Sequence, residues 1–139
     1  MAEHKRFEPP TSDYTEPYWE ATRKRELLLQ WCVACAEPVH YPRQHCPRCL
    51  GGELEWRTSA GTGEVYAFTV DHRADRRVVA LVLLDEGARV MTNIVNCSPD
   101  DVRVGLPVQV TWEELADGRH LPLYEPRNKP NNQPKNEKE

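Results

Sequence analysis

Two tight cysteine pairs and, after them, a succession of short alternating apolar segments joined by glycine turns predict a mainly β chain. The expected order is an N-terminal helix, a small ribbon folded on a metal ion, and a closed barrel of the OB type. The 139 residues suffice for one ordinary domain or two very small ones. Boundaries are expected at 1–26 for an arm and helix, 27–57 for the ribbon, 58–124 for the barrel and 125–139 for a disordered tail.

The first dozen residues mix charges of both signs with Pro9 and Pro10 and lack periodicity, which predicts a loose arm. A helix capped by Ser12 or Asp13 is expected to run through Tyr18, Trp19, Thr22 and Glu26. Pro17 suits its first turn, and acids precede bases along it as the helix dipole prefers. Tyr18 and Trp19 are candidates for a partner interface, with docking onto the chain's own domain as the plain alternative.

Cys32-Val-Ala-Cys35 and Cys46-Pro-Arg-Cys49 have the spacing of one tetrahedral four-thiolate site, for which Zn2+ is the expected ion. Such a site is closed, with no position left for a reactive water, so its expected role is structural. Two disulfides are the alternative. The opening MAEHKRFEPPTSDY holds no apolar stretch with a small-residue cleavage site, which predicts a reducing, cytoplasmic setting. A redox CxxC calls for a βαβ context, and proline and charge surround both pairs instead. His40 and His45 lie between the pairs, and with four thiolates present they are read as neighbours of the ion rather than ligands. The ribbon's strands are expected at 27–31, 39–41 and 54–56, with so little apolar core that metal is needed to fold them.

Beyond the ribbon, residues 64–70 alternate so that Val65, Ala67 and Thr69 are expected on one face and Tyr66, Phe68 and Val70 on the other. The apolar run 78–84, the Asp85-Glu86-Gly87 turn and 89–96 read as a hairpin, followed by strands at 108–112 and 120–124. Five short strands without room for crossover helices favour a barrel over a parallel sheet. The 78–84 run is far too short to cross a membrane.

These residues resemble the DUF35 family, OB-fold proteins with a rubredoxin-like zinc ribbon that are associated with acyl-CoA enzymes. The likeness covers Tyr14 to Tyr124. It rests on Tyr18-Trp19, the leucines before Cys32, Tyr41-Pro42-Arg43, Cys46-Pro-Arg-Cys49, Gly61-Thr-Gly63-Glu-Val-Tyr-Ala-Phe-Thr-Val70, Leu84-Asp-Glu-Gly87 and Val104-Gly-Leu-Pro-Val108. Members often carry glycine after the first CxxC. Ala36 stands there instead, so strain is expected at that turn.

The resemblance implies a non-catalytic accessory subunit of a thiolase-fold enzyme, either a thiolase or a lipid-transfer-protein-like aldolase of aromatic or steroid degradation. It implies a hetero-oligomer that supports the acyl-CoA site, with a coenzyme A thioester shared with the partner. Arg73, Arg76 and Arg77 in the loop after the first barrel strand, and Arg43 and Arg48 beside the knuckles, are candidates for coenzyme A phosphates. The plain alternative for the loop is a solvated hairpin tip. Catalytic residues are not expected. Cys97 reads as a structural thiol and His72 as exposed, and no Ser-His-Asp set or phosphate loop is found.

A zinc-ribbon and OB nucleic-acid module is the competing class. A net charge of -4 and the absence of lysine from the barrel segment count against it. A free-standing acyl-CoA hydrolase or transferase is the third and weakest reading, since the residues for it are missing.

Overall fold

The computed structural model describes residues 8–127 apart from Ala74; most of the expected arm (1–7) and tail (128–139) lies outside the described residues. The chain forms two compact units, one of residues up to 59 with Trp112–Pro122, the other of Ala60–Thr111 with residues from Leu123 on. Its elements are α1 (Glu16–Thr22), β1 (Leu28–Cys32), β2 (Glu37–Val39), β3 (Leu54–Thr58), β4 (Thr62–Asp71), β5 (Arg77–Leu84), β6 (Arg89–Ile94), β7 (Pro107–Glu114) and β8 (His120–Pro126). Among the described residues no helix is long and apolar enough to cross a membrane.

In the first unit α1 is shorter than expected at both ends. Ser12 and Thr15 bond to each other, the Ser12 N–H donating to Thr15 Oγ1 at 2.9 Å and the Thr15 N–H to the Ser12 carbonyl at 3.0 Å, so the helix begins only at Glu16. After Thr22 the chain turns out of the helix, and Arg25 takes a φ of 60° where Glu26 was expected to continue it. Thr22 is fully buried, and its hydroxyl accepts from the His120 N–H at 3.1 Å. The His120 ring Nδ1 donates to the Thr22 carbonyl at 2.8 Å, which pins the β7–β8 turn to α1.

The ribbon sheet is antiparallel in the order β2-β1-β3. Gln30 pairs with Val39 on one side and Trp56 on the other. β2 forms at Glu37–Val39 rather than 39–41, with Val39, Pro38 and Glu37 opposite Gln30, Trp31 and Cys32. An apolar strand containing one buried glutamine has a reason visible only in three dimensions. Gln30 Nε2 donates to the Arg43 carbonyl at 2.9 Å and its Oε1 accepts the Arg43 N–H at 2.7 Å, which clasps the loop between the knuckles to β1. A buried polar group satisfied on both sides avoids the ~1–3 kcal/mol penalty of an orphan.

The barrel closes in the order β4-β5-β6-β8-β7. Counting the barrel strands 1 to 5, this is 1-2-3-5-4 with strand 4 back on strand 1, the OB arrangement. β4 pairs antiparallel with β5 and with β7, and β6 meets β8 in parallel at Ile94 and Tyr124. β8 continues through Glu125 and Pro126, two residues past the expected end of the barrel. A 3-10 turn, Pro99–Asp101, connects β6 toward β7, with Ser98 Oγ accepting from the Asp100 N–H at 3.2 Å.

The alternation expected for β4 fails halfway along it. Val65 pairs with Val82, yet Ala67 pairs with Leu81, so Tyr66 is an extra residue in a bulge. One inserted residue moves all later side chains to the opposite face. Phe68 and Val70 therefore lie opposite Ala80 and Val78 on the same face as Val65, while Ala67 and Thr69 join the outer side. The inner residues Val65, Val82, Leu84 and Val108 are almost fully buried, at roughly 1.5–3 kcal/mol of transfer energy each.

Gly63 marks the closest strand approach. A Cβ there would lie 2.2 Å from the Leu83 carbonyl oxygen, a backbone atom that cannot move aside. Gly63→Ala is therefore expected to lower stability by about 1–3 kcal/mol in urea denaturation, the usual cost of overpacking.

Candidate metal centre and ligand-facing loops

The two CxxC segments form matching knuckles. In the first, the Ala36 N–H donates to the Cys32 carbonyl at 2.8 Å; in the second, the Leu50 N–H donates to the Cys46 carbonyl at 2.8 Å. Closing each turn drives the residue after the second cysteine to positive φ, 56° at Ala36 and 63° at Leu50. The strain expected at Ala36 is present, and Leu50 bears the same strain without any signal in the sequence. Backbone N–H groups also point at sulfur, from Cys35 to Cys32 Sγ, Arg48 to Cys46 Sγ and Gly51 to Cys49 Sγ, each at 3.4 Å. Such bonds favour the thiolate that a metal requires.

Cys32, Cys35, Cys46 and Cys49 converge, with all four sulfurs within 4.8 Å of one another. The Cys32–Cys49 and Cys35–Cys46 sulfur separations are 3.7 Å and 3.9 Å. A regular tetrahedron with zinc–sulfur bonds of about 2.3 Å has edges of about 3.8 Å, so the set fits one zinc ion. These separations also far exceed a disulfide bond of about 2.05 Å. In the protein alone the crowding splits the thiols. The backbone N–H of Cys49, with that of Arg48, draws Cys46 down to about 6, whereas hydrogen bonding to the Cys49 thiol, followed by burial, pushes Cys35 up to about 12. A dication at the centre favours the thiolate at all four positions.

His40 and His45 are not in the cluster. His40 packs between Tyr41, at 4.2 Å between ring centroids, and Tyr18, at 6.4 Å. Burial lowers its pKa to about 4, and burial followed by the charge of Tyr41 raises that of the Tyr18 phenol. Tyr18 also meets Trp19 edge to face at 5.0 Å, and the Arg119 guanidinium sits 5.0 Å from the Trp19 ring centroid. Both aromatic rings are thus engaged within their own unit.

Arg119, missed by sequence reasoning, is nearly buried; its Nε donates to Asp117 Oδ2 at 2.7 Å and its Nη2 to the Pro9 carbonyl at 2.8 Å. A lone arginine beside Asp-Gly in a turn carries no sequence signal of burial.

Four of the five arginines expected to face coenzyme A are paired with carboxylates. Arg73 pairs with Asp71 at 3.1 Å, Arg76 with Asp100 at 3.1 Å and Arg77 with Asp75 at 3.2 Å. Hydrogen bonding from Arg73 holds the Asp71 carboxyl below its usual range. Arg48 reaches Glu37 at 3.5 Å and donates to the Pro38 carbonyl at 2.9 Å. Arg43 is exposed, and its backbone rather than its side chain makes the Gln30 clasp.

A four-cysteine ribbon with an OB barrel defines a two-module zinc-ribbon protein, and comparison with known proteins agrees module by module. Residues 19–55 match the rubredoxin-like zinc ribbon domain of ChsH2, and residues 56–113 match the C-terminal OB-fold domain of ChsH2. The chain is 32% identical over 109 residues to a DUF35 domain-containing scaffold protein of Methanocaldococcus jannaschii, covering 71% of this chain and 77% of that one. The chain belongs to the DUF35 family.

It is 38% identical over 126 residues to a probable enoyl-CoA hydratase alpha subunit of Thermomonospora curvata, covering 84% of this chain and 39% of that protein. It thus spans about two fifths of that relative's length. Among solved structures, an Ltp2-ChsH2(DUF35) aldolase aligns with a TM-score of 0.76 and 35% identity, over 86% of this chain and 98% of that chain.

Three outcomes are expected. Elemental analysis finds one zinc per chain, lost in Cys46→Ser or Cys49→Ser. Ala36→Gly raises the thermal stability of the zinc form by up to about 1 kcal/mol, because glycine takes positive φ without the ~1–2 kcal/mol Cβ penalty but adds some freedom to the unfolded chain.

The third concerns His40. With a folded pKa near 4 against an ordinary 6.5, the unfolded state binds more protons between these values. Stability is therefore full above pH 6.5 and falls as pH drops toward 4, by on the order of 2–3 kcal/mol. His40→Phe removes that part of the slope in urea melts at pH 4.5 and 7.

Proposed function

We propose that this chain is a non-catalytic accessory subunit of a thiolase-fold acyl-CoA enzyme, in a hetero-oligomer whose larger subunit carries out the chemistry. The observation that carries the reading is the match to a chain of the Ltp2-ChsH2(DUF35) aldolase, at 35% identity over 98% of that chain. The chain's own chemistry points the same way. A thiolase-type reaction needs an activated cysteine and a proton shuttle, and four of the five cysteines here meet at one point suited to a structural ion. Structural zinc at Cys32, Cys35, Cys46 and Cys49 belongs to this reading.

We extend the proposal to a coenzyme A thioester held mainly by the partner. Recruiting Arg73, Arg76 or Arg77 to a phosphate means breaking their pairs with Asp71, Asp100 and Asp75, so any contribution from that loop comes with rearrangement. Arg43 and Arg48 beside the knuckles remain the second candidate cluster. Tyr18 and Trp19 serve an interface only through the parts of their rings left half-exposed.

The purified chain alone is expected to show no turnover of acyl-CoA substrates, and co-expression with a thiolase-like subunit from the same cell is expected to give a stable complex with acyl-CoA cleavage activity. Turnover by the isolated chain, or a partner equally active without it, defeats the proposal. Charge reversal at Arg73, Arg76 and Arg77 is expected to change coenzyme A affinity of the complex less than threefold, measured by calorimetry.

A further inference from the structure

The outward face of β4, β5 and β6 is built unlike a solvated sheet. β5 is apolar on both sides: Val78, Ala80, Val82 and Leu84 are buried in the barrel, and the outward positions between them are Val79, Leu81 and Leu83. An antiparallel strand with one side in water ordinarily alternates apolar with polar. Leu81 pairs with Ala67 on β4 and with Met91 on β6, and Met91 is 61% exposed. Beside them the bulge turns Tyr66 outward, 46% exposed, where Arg89 stacks at 4.8 Å from its ring centroid. Glu64 and Arg89 flank Leu83 from the two neighbouring strands, while Thr69 and Asn93 flank Val79. The face is an apolar centre with a polar, charge-balanced rim, which is the anatomy of a protein interface.

We propose that this face docks the thiolase-like subunit, through an apolar patch on that subunit bordered by an acid opposite Arg89 and a base opposite Glu64; the assignment rests on the accessory-subunit reading above. It is formed by the second and third barrel strands with the first, the surface on which OB folds commonly take ligands. Nucleic acid is a poor occupant, because the rim has no net positive charge and the chain has no lysine between Lys24 and Lys129.

Of the chain's own segments beyond the described residues, 128–139 offers no aliphatic or aromatic side chain to lay over it, and 1–7 offers only Met1, Ala2 and Phe7 among charged neighbours. A second copy is disfavoured by area. Three strands about 4.8 Å apart, with five residues each at about 3.4 Å, give a face on the order of 250 Å². Two such faces bury roughly 500 Å², against about 1,200 Å² for a stable specific interface. A larger subunit that extends past the edges of the three strands reaches that area, with this face as its dry centre.

The test uses the full chain, tagged, in co-purification from its native cell, with the retained subunit identified by mass spectrometry and its affinity then measured with both proteins purified. The variants are Met91→Glu on the face and Val104→Glu, equally exposed but in the turn before β7. Zinc content and thermal melting confirm that both fold. The expected result is that wild type and Val104→Glu bind the thiolase-like subunit alike, and Met91→Glu binds at least tenfold more weakly.

If Met91→Glu binds as wild type, the face assignment is wrong and the accessory reading stands. If wild type retains no thiolase-like subunit, the accessory reading fails and takes the assignment with it. Light scattering that shows a wild-type dimer converted to monomer by Met91→Glu gives the face to a second copy and overturns the proposal.

Discussion

The convergence of four sulfurs on one point is what the first unit depends on. The apolar cluster at the knuckles consists of Cys32, Val39 and Cys46, with Cys35 and Leu54 packed against it, so three of its five members are metal ligands, and Leu27 and Leu29 are buried elsewhere in the same unit. A ribbon of this size has little else to offset its chain entropy, and the free energy of metal binding is accordingly folding free energy. The same dependence accounts for the strain at Ala36 and Leu50. Positive φ at a residue with a Cβ persists only where the surroundings over-determine it. Here the knuckle hydrogen bonds and the need to aim two sulfurs at one point do so, and the Gln30 clasp fixes the loop between the knuckles.

The barrel unit rests on different physics. The barrel closes between β6 and β8 at the single pair Ile94–Tyr124, and its interior is ordinary aliphatic packing around Val65, Val82 and Val108. The bulge at Tyr66 is the device that reconciles the two ends of β4. Before it, Gly63 brings β4 backbone against β5; after it, Phe68 and Val70 turn inward opposite Ala80 and Val78. One extra residue therefore produces both an inner face that fills the barrel and an outward tyrosine.

What could be read in the sequence was local chemistry. Cysteine spacing announces a tetrahedral site because a CxxC turn has few geometries, and Ala36 announces strain because glycine is the natural residue there. Barrel strands show through alternation and turn residues. Features that depend on distant partners were not legible. The bulge at Tyr66 exists only relative to Val82 and Leu81, and the early end of α1 follows from a reversal at Arg25. The pairing of Arg76 with Asp100 spans loops far apart in the chain, and the burial of Arg119 depends on Trp19 and Pro9. Read singly along the sequence Arg76 looks available; in the fold Asp100 already answers it.

That answer shapes what the molecule has left to offer. Phosphate recognition works through guanidinium groups held ready for an anion, and those of the 71–77 loop lie against carboxylates instead. Exposed ion pairs of this kind add little stability, so their breaking is no great barrier, but an arginine that must exchange one anion for another gains little by doing so. Apolar surface has no such internal substitute. Met91, Leu81 and Tyr66 can lose water only to something outside their own barrel unit, and a loop whose arginines are already paired gives less to a small anionic ligand than this outward apolar face gives to association.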